Sequence, residues 1–242
     1  MLKAMLCVAL LLLGGGAWAA QVVGVVAHSS GPLLDRKADG SVNVLGAKSE
    51  VENGDTLVAE KNTYAQIRFV DNSEITLKPG TTFRIENFSY DAGKPEADSA
   101  AFDLVKGGLR SITGLLGKRN KEKFSLKTPS ATIGIRGTTF VAQFVPAPAP
   151  ELAQDRQPGL APGLHVSVSE GAIVVANSGG ALGFQAGQFG YVPGVNQAPV
   201  LVPPNTGLQF TPPPGFPDGA QGPQASAGGS AADKPAVDCI VR

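Results

Sequence analysis

The sequence predicts an all-β protein: an antiparallel β-sandwich or short β-roll of stacked β-turn-β units, followed by a disordered Pro/Gly-rich C-terminal tail. Three observations lead there. Between residues 21 and 145 the chain is a succession of short runs that alternate apolar and polar residues, each ended by Gly, Pro, Asn or Asp. Its 242 residues include 31 Gly and 19 Pro, too many for a helical bundle or a doubly wound α/β fold. The one segment with helical spacing, residues 104–116, contains Gly107, Gly108 and Gly114, each of which costs about 1 kcal/mol in a helix relative to Ala.

The clearest unit is a hairpin. Ala65-Gln-Ile-Arg-Phe-Val70 puts Ile67 and Phe69 on one face and Gln66 and Arg68 on the other. Asp71-Asn72-Ser73 turns the chain, and Glu74-Ile-Thr-Leu-Lys78 resumes with Ile75 and Leu77 inward. After Pro79-Gly80, residues 82–86 repeat the pattern with Phe83 and Ile85 inside. Further strands are expected at residues 22–26, 41–45, 56–58, 101–105, 109–113, 124–126 and 138–145, then at 165–169, 172–176 and 181–192. Residues 104–116 read as strands joined by a tight turn.

The ends differ from this middle. Met1-Leu2-Lys3 precedes an apolar run to Leu13, a Gly triplet and Ala17-Trp18-Ala19. This is the layout of a secretory signal peptide cleaved after Ala19, and the run is too short to span a membrane. The expected product is periplasmic, with no transmembrane segment in the mature chain. Cys7 leaves with the leader, so Cys239 remains alone and no internal disulfide forms. Residues 146–163 form a Pro-rich loop inserted in a β domain that spans 20–201. Residues 202–242 hold 8 Pro and 6 Gly without periodicity and are expected to stay disordered.

Charge is balanced overall, with 20 basic and 20 acidic residues, but not locally. Residues 101–140 carry eight basic residues against two acidic, a local net charge of +6. Lys118, Arg119, Lys121 and Lys123 read as an exposed basic loop, suited to an anionic envelope polymer or lipid headgroup. Nucleic acid is excluded by export and by the lack of interleaved aromatics. Arg136, between Gly134 and Gly137, is a candidate interaction residue that can present its guanidinium fork from a rigid turn, or else donate a structural hydrogen bond.

Other chemistry is thin. Gly114-Leu-Leu-Gly-Lys118 lacks the first Gly and the final Ser or Thr of a phosphate loop. His28 and His165 have no Ser and carboxylate pattern around them and read as surface histidines. Glu50, Glu52 and Asp55 cluster around a turn that can ligate a hard cation, though such spacing is common in turns. No catalytic residue, cofactor or metal is expected, and the chain reads as a non-enzyme.

Several segments resemble one known family. Val51-Glu-Asn-Gly-Asp-Thr-Leu57, followed by the hairpin from Tyr64 to Leu77, is similar to the opening of the FecR-type periplasmic domain. Phe124-Ser-Leu-Lys-Thr-Pro-Ser-Ala-Thr-Ile-Gly-Ile-Arg-Gly-Thr-Thr-Phe140 resembles its most specific block, and Val168 to Val174 with Gln185-Ala-Gly-Gln188 resembles its close. The likeness covers roughly residues 20–195. It implies a β-rich, non-enzymatic, exported domain. The family's namesake relays an iron-citrate uptake signal from an outer-membrane transporter to a cytoplasmic sigma factor, through a cytoplasmic segment and a transmembrane helix. Here a signal peptide leads directly into the domain, so the sigma-factor role does not transfer. The expectation is a free-standing FecR-like binding, scaffolding or signalling module whose partner is another envelope protein. The alternative is a carbohydrate or cell-wall ligand-binding protein, which the scarcity of stacking aromatics (Tyr64, Tyr90 and Tyr191) disfavours.

Overall fold

The computed structural model of the chain describes residues 21–147, 160–208, 210, 213, 215 and 216. The expected leader at 1–19, most of the Pro-rich loop, Cys239 and the tail beyond 216 lie outside the described residues. The rest forms strands β1 (Val22–Ser29), β2 (Leu33–Arg36), β3 (Val42–Leu45), β4 (Glu50–Glu52), β5 (Thr56–Ala59), β6 (Ala65–Phe69), β7 (Glu74–Leu77), β8 (Thr82–Ser89) and β9 (Ser99–Ile112). After these come β10 (Phe124–Lys127), β11 (Thr132–Ile135), β12 (Thr139–Val145), β13 (Gly163–Glu170), β14 (Ala172–Asn177), β15 (Gly180–Gln185), β16 (Phe189–Val192) and β17 (Val200–Val202). One short helix, α1 (Leu115–Arg119), separates β9 from β10.

The strands pair into two sheets. The first runs β4-β1-β6-β7-β9-β12-β13-β16-β17. The second runs β3-β2-β5-β8-β9-β10-β11-β14-β15. After β9 the chain alternates: β10–β11 joins the second sheet, β12–β13 the first, β14–β15 the second and β16–β17 the first. This is the expected stack of β-turn-β units, with the inward faces of both sheets forming one apolar core. Every pairing is antiparallel except β9 with β10, which is parallel. The α1 crossover explains the exception, because it returns the chain to the second sheet beside the first half of β9.

β9 belongs to both sheets and replaces the two strands expected at 101–105 and 109–113. Its first half pairs with β8 and β10 and its second with β7 and β12. The change of sheet falls at Gly107, whose φ of +86° suits glycine and where a Cβ would lie 2.6 Å from Thr81 Cα. Buried Thr81 clamps the bend: its hydroxyl donates to Gly108 O (2.9 Å) and accepts from Gly108 N (3.0 Å).

Phe102, in the first half of β9, lies at the centre of the aromatic core. Its ring is 5.3 Å from Phe69, 5.4 Å from Phe83, 6.1 Å from Phe88 and 5.7 Å from Phe124. Each such ring removes on the order of 150–250 Å² from water, which makes this cluster a main source of stability.

Described structure continues past residue 201. Val202 completes β17, Leu208 is buried, and Phe210 and Phe216 pack on the outside of the first sheet. Phe210 meets Tyr64 edge-on at 6.1 Å and lies 5.9 Å from Lys78 Nζ, while Phe216 lies 5.7 Å from His28. Lys78 is half-buried, donates to Gln143 Oε1 (2.8 Å), and has its pKa lowered by burial.

Candidate functional site

The Thr128–Phe140 block crosses from the second sheet to the first, and polar groups inside it fix its shape. Thr128 folds the Thr-Pro-Ser-Ala turn over its own hydroxyl, which donates to Ala131 O (2.8 Å) and accepts from Ala131 N (3.1 Å). β11 follows, and then Gly137 at φ +70° redirects the chain. Thr138, 2% exposed, locks this turn. Its hydroxyl donates to Ala172 O (2.6 Å) and accepts from Arg136 N (3.2 Å); its carbonyl accepts from Thr113 Oγ1 (2.7 Å), and its N–H donates to that same oxygen (2.9 Å).

The turn leaves Arg136 exposed on the outer face of the second sheet. Its backbone N–H is bound to Ala172 O (2.8 Å), but its guanidinium has no partner among the described residues. It stands between two grooves. One, of about 370 Å³, is walled by Lys121, Glu122 and Phe124 and floored by Gly134, Ile135 and Val174. The other, of about 340 Å³, runs over Ile173, Val174 and Gly183 towards Gln185 and Leu201. Val174 pairs with Gly134 on one side and Gly183 on the other, so the sheet is lowest across that row.

The predicted basic residues separate into two groups. Lys118, Lys121 and Lys123 are exposed, and their ammonium groups have no partner among the described residues. Lys121 shares the first groove with Arg136. Arg119 faces the protein instead. Its Nε and Nη2 grip both oxygens of buried Asp98 (2.7 and 2.6 Å), Nη2 and Nη1 also donate to Asp91 O and Ala92 O, and the guanidinium lies 4.6 Å from the Tyr90 ring. The Asp98 carboxyl is held below the usual range, first by Arg119 and then by Asn120 against the cost of burial. A charge count cannot distinguish such a cation from a free one, because its partner lies 21 residues upstream.

The acidic turn also has an internal occupant. Lys37 Nζ lies 2.7 Å from Glu52, 2.8 Å from Asp55 and 3.1 Å from Asp35, while Glu50 is exposed elsewhere. Partial burial works against the Lys37 charge, but hydrogen bonds to Asp55, Glu52 and Asp35 raise its pKa above normal. Asp35 is fully buried, and neither carboxylate oxygen has a well-aligned hydrogen bond; burial pushes its pKa up, with Lys37 opposing. Among the described residues no group of three metal-ligating side chains forms a cation site.

His165 is not a surface residue as expected. It is 6% exposed, its Nε2 lies 2.7 Å from Ala161 O, and its ring stacks on Tyr191 at 4.6 Å; burial lowers its pKa. Strand alternation hides this because both faces of β13 are covered. His28 is half-buried, against Phe216.

Residues 55–174 match the family model of FecR protein. This chain is a FecR-domain protein. The matched span is narrower than the likeness at 20–195 and covers the inner strands of both sheets, from β5 into β14. Strands β1–β4 and β15–β17 extend that FecR centre at both sides. Two crystal structures of a proposed anti-sigma factor from Parabacteroides distasonis ATCC 8503 are similar, each at 15% identity and a TM-score of 0.44, over 61% of this chain. This chain spans 58% of the length of those solved chains. No curated protein matches the sequence. Among the described residues no helix is long and apolar enough to cross a membrane.

Sequence reasoning did not single out Gly183, Val174, Phe124 or Leu201 as parts of a site. A signal was available: Gly134 and Gly183 interrupt otherwise regular strands, a position where another molecule's close approach is one recognised cause.

Proposed function

We propose that this FecR-domain protein is exported to the periplasm and acts there as a non-catalytic binding or scaffolding module, holding another protein of the cell envelope. The observation that carries the reading is the free edge of the second sheet. Among the described residues β3 pairs only with β2, and it exposes Val42 (56%) and Val44 (72%). Stable proteins usually blunt such edges with charge, Pro or a covering loop, and an apolar edge is a ready template for a partner's strand. Two features weigh against the carbohydrate reading. No aromatic side chain among the described residues is exposed. Tyr64, Tyr90 and Tyr191 each already face an internal neighbour, respectively Phe210, Arg119 and His165.

The test is fractionation of cells expressing the tagged full-length chain, followed by capture from envelope extract in parallel with insoluble cell-wall polysaccharide. The expected result is release with the periplasmic fraction and retention of an envelope protein, lost in a Val42→Lys/Val44→Lys double variant that still folds. Retention by polysaccharide alone would overturn the reading.

A further inference from the structure

The grooves on either side of Arg136 define the chemistry of a ligand more narrowly than the sheet edge does. We infer that this double groove binds a short acidic segment of a protein partner in extended conformation, one carboxylate on Arg136 and an apolar side chain in each flanking groove. The inference rests on the proposed binding role and assigns it a site.

Charge comes first. Arg136 is exposed, has no side-chain partner among the described residues and is held by a rigid turn, so little backbone entropy opposes its use as a bidentate carboxylate fork. Lys121 adds a second cation on the same side, and Glu122 is the only carboxylate among the described residues that line either groove.

Shape comes second. Apolar surface flanks Arg136 on both sides, from Phe124 and Val174 in one groove and from Val174 and exposed Leu201 in the other, while Ile135 and Ile173 are buried in the core. Side chains on one face of an extended peptide recur every second residue, about 6.5–7 Å apart. A pattern of apolar, any, acidic, any, apolar therefore presents the acid to Arg136 and the flanking groups to the two grooves. A lipid headgroup supplies the anion without the paired apolar groups, and the outward-facing Lys118 and Lys123 suit it better.

The grooves exist because Gly134 and Gly183 add no side chain beside Val174. Neither has a positive φ, and a Cβ would meet only Val174 O at 4.0 Å or Ile173 O at 3.9 Å. Backbone geometry and internal packing therefore do not require glycine at either position, although glycine weakens a strand interior. A β-branched residue at 183 fits the fold and obstructs the groove.

The experiment measures fluorescence anisotropy of a labelled Ser-Val-Ser-Glu-Ser-Val-Ser peptide against the purified chain. Controls replace Glu by Lys, or both Val by Ser. The expected result is saturable binding that weakens with salt and falls about tenfold or more with either control peptide. Arg136→Gln and Gly183→Thr should each lower affinity by about tenfold without lowering the melting temperature. Should Arg136→Gln not fold, Gly183→Thr and Lys121→Ser decide alone. The inference is overturned by equal binding of the lysine peptide, by full affinity in the variants, or by failure to bind the peptide. It is likewise overturned if only phosphatidylglycerol vesicles bind and Lys118→Ser/Lys123→Ser abolishes that binding. The two readings separate in envelope capture: a partner retained equally by Arg136→Gln removes the groove but leaves the binding role, whereas no partner for the native chain removes that role.

Discussion

Thr138→Val separates the two roles that meet in the Ile-Arg-Gly-Thr turn. Valine keeps the shape of threonine but loses the hydroxyl that donates to Ala172 O at 2.6 Å and accepts from Arg136 N at 3.2 Å. The site is 2% exposed, so water does not readily replace either bond. Arg136 N keeps its bond to Ala172 O, which limits the damage to the groups the hydroxyl alone served. At about 0.5–1.5 kcal/mol for each hydrogen bond, the loss is about 1–3 kcal/mol. For a chain of this size 1 kcal/mol shifts Tm by roughly 2–4 °C, so a fall of about 6 °C is the central expectation. Circular dichroism melts of the native chain, Thr138→Val and Arg136→Gln provide the comparison, with Arg136→Gln expected to match the native melt. If Thr138→Val melts within about 1 °C of the native chain, or Arg136→Gln falls equally, the division between a structural Thr138 and a free Arg136 is wrong.

Other positions give distinct outcomes. Gly107→Val places a β-branched side chain at φ +86° with its Cβ against Thr81; a loss of about 2 kcal/mol or more is expected, seen as a lower urea midpoint. Asp35 has a raised folded pKa, so its contribution is fully present below its unfolded value near 3.8 and is lost as pH rises through the folded value. Asp35→Asn should therefore gain on the native chain in Tm between pH 4 and pH 7; a relative loss over that range would refute the assignment. Asp98 has the opposite sign, its lowered pKa making a contribution that is present above pH 4 and lost on acidification. Asp98→Asn should flatten the acid side of the stability profile. Phe210→Ala removes the contacts with Tyr64 and Lys78, and a loss of about 1–2 kcal/mol in thermal unfolding would show that the segment after β17 contributes to stability.

The sequence was most legible where one face of a strand is apolar and the other polar. The β6–β7 hairpin pairs Ile67 with Ile75 and Ala65 with Leu77, so its alternation survives directly in the fold. β2 escaped notice because Leu33-Leu-Asp-Arg36 turns a carboxylate, Asp35, towards the core, where alternation predicts an apolar residue. β9 read as two strands because a glycine pair normally ends one; here the pair bends a continuous strand between sheets, and only the Thr81 clamp, 27 residues away, reveals that. Within 181–192, the Gly187 turn at φ +82° separates β15 from β16, which lie in different sheets.

The site follows the same logic. Four cations look alike along residues 118–123, but a long-range acidic partner takes Arg119 and leaves the lysines exposed. Glu52 and Asp55 resemble ligands until the turn after β2 brings Lys37 between them. What distinguishes Arg136 is therefore the absence of a side-chain partner among the described residues, together with the glycines two residues before it and across β14 from that position. A purely structural arginine would be bonded as Arg119 is, and strand glycines required by the fold would show a positive φ or a blocked Cβ. Arg136, Gly134 and Gly183 show neither, so their combination is better explained by something that arrives from outside the chain.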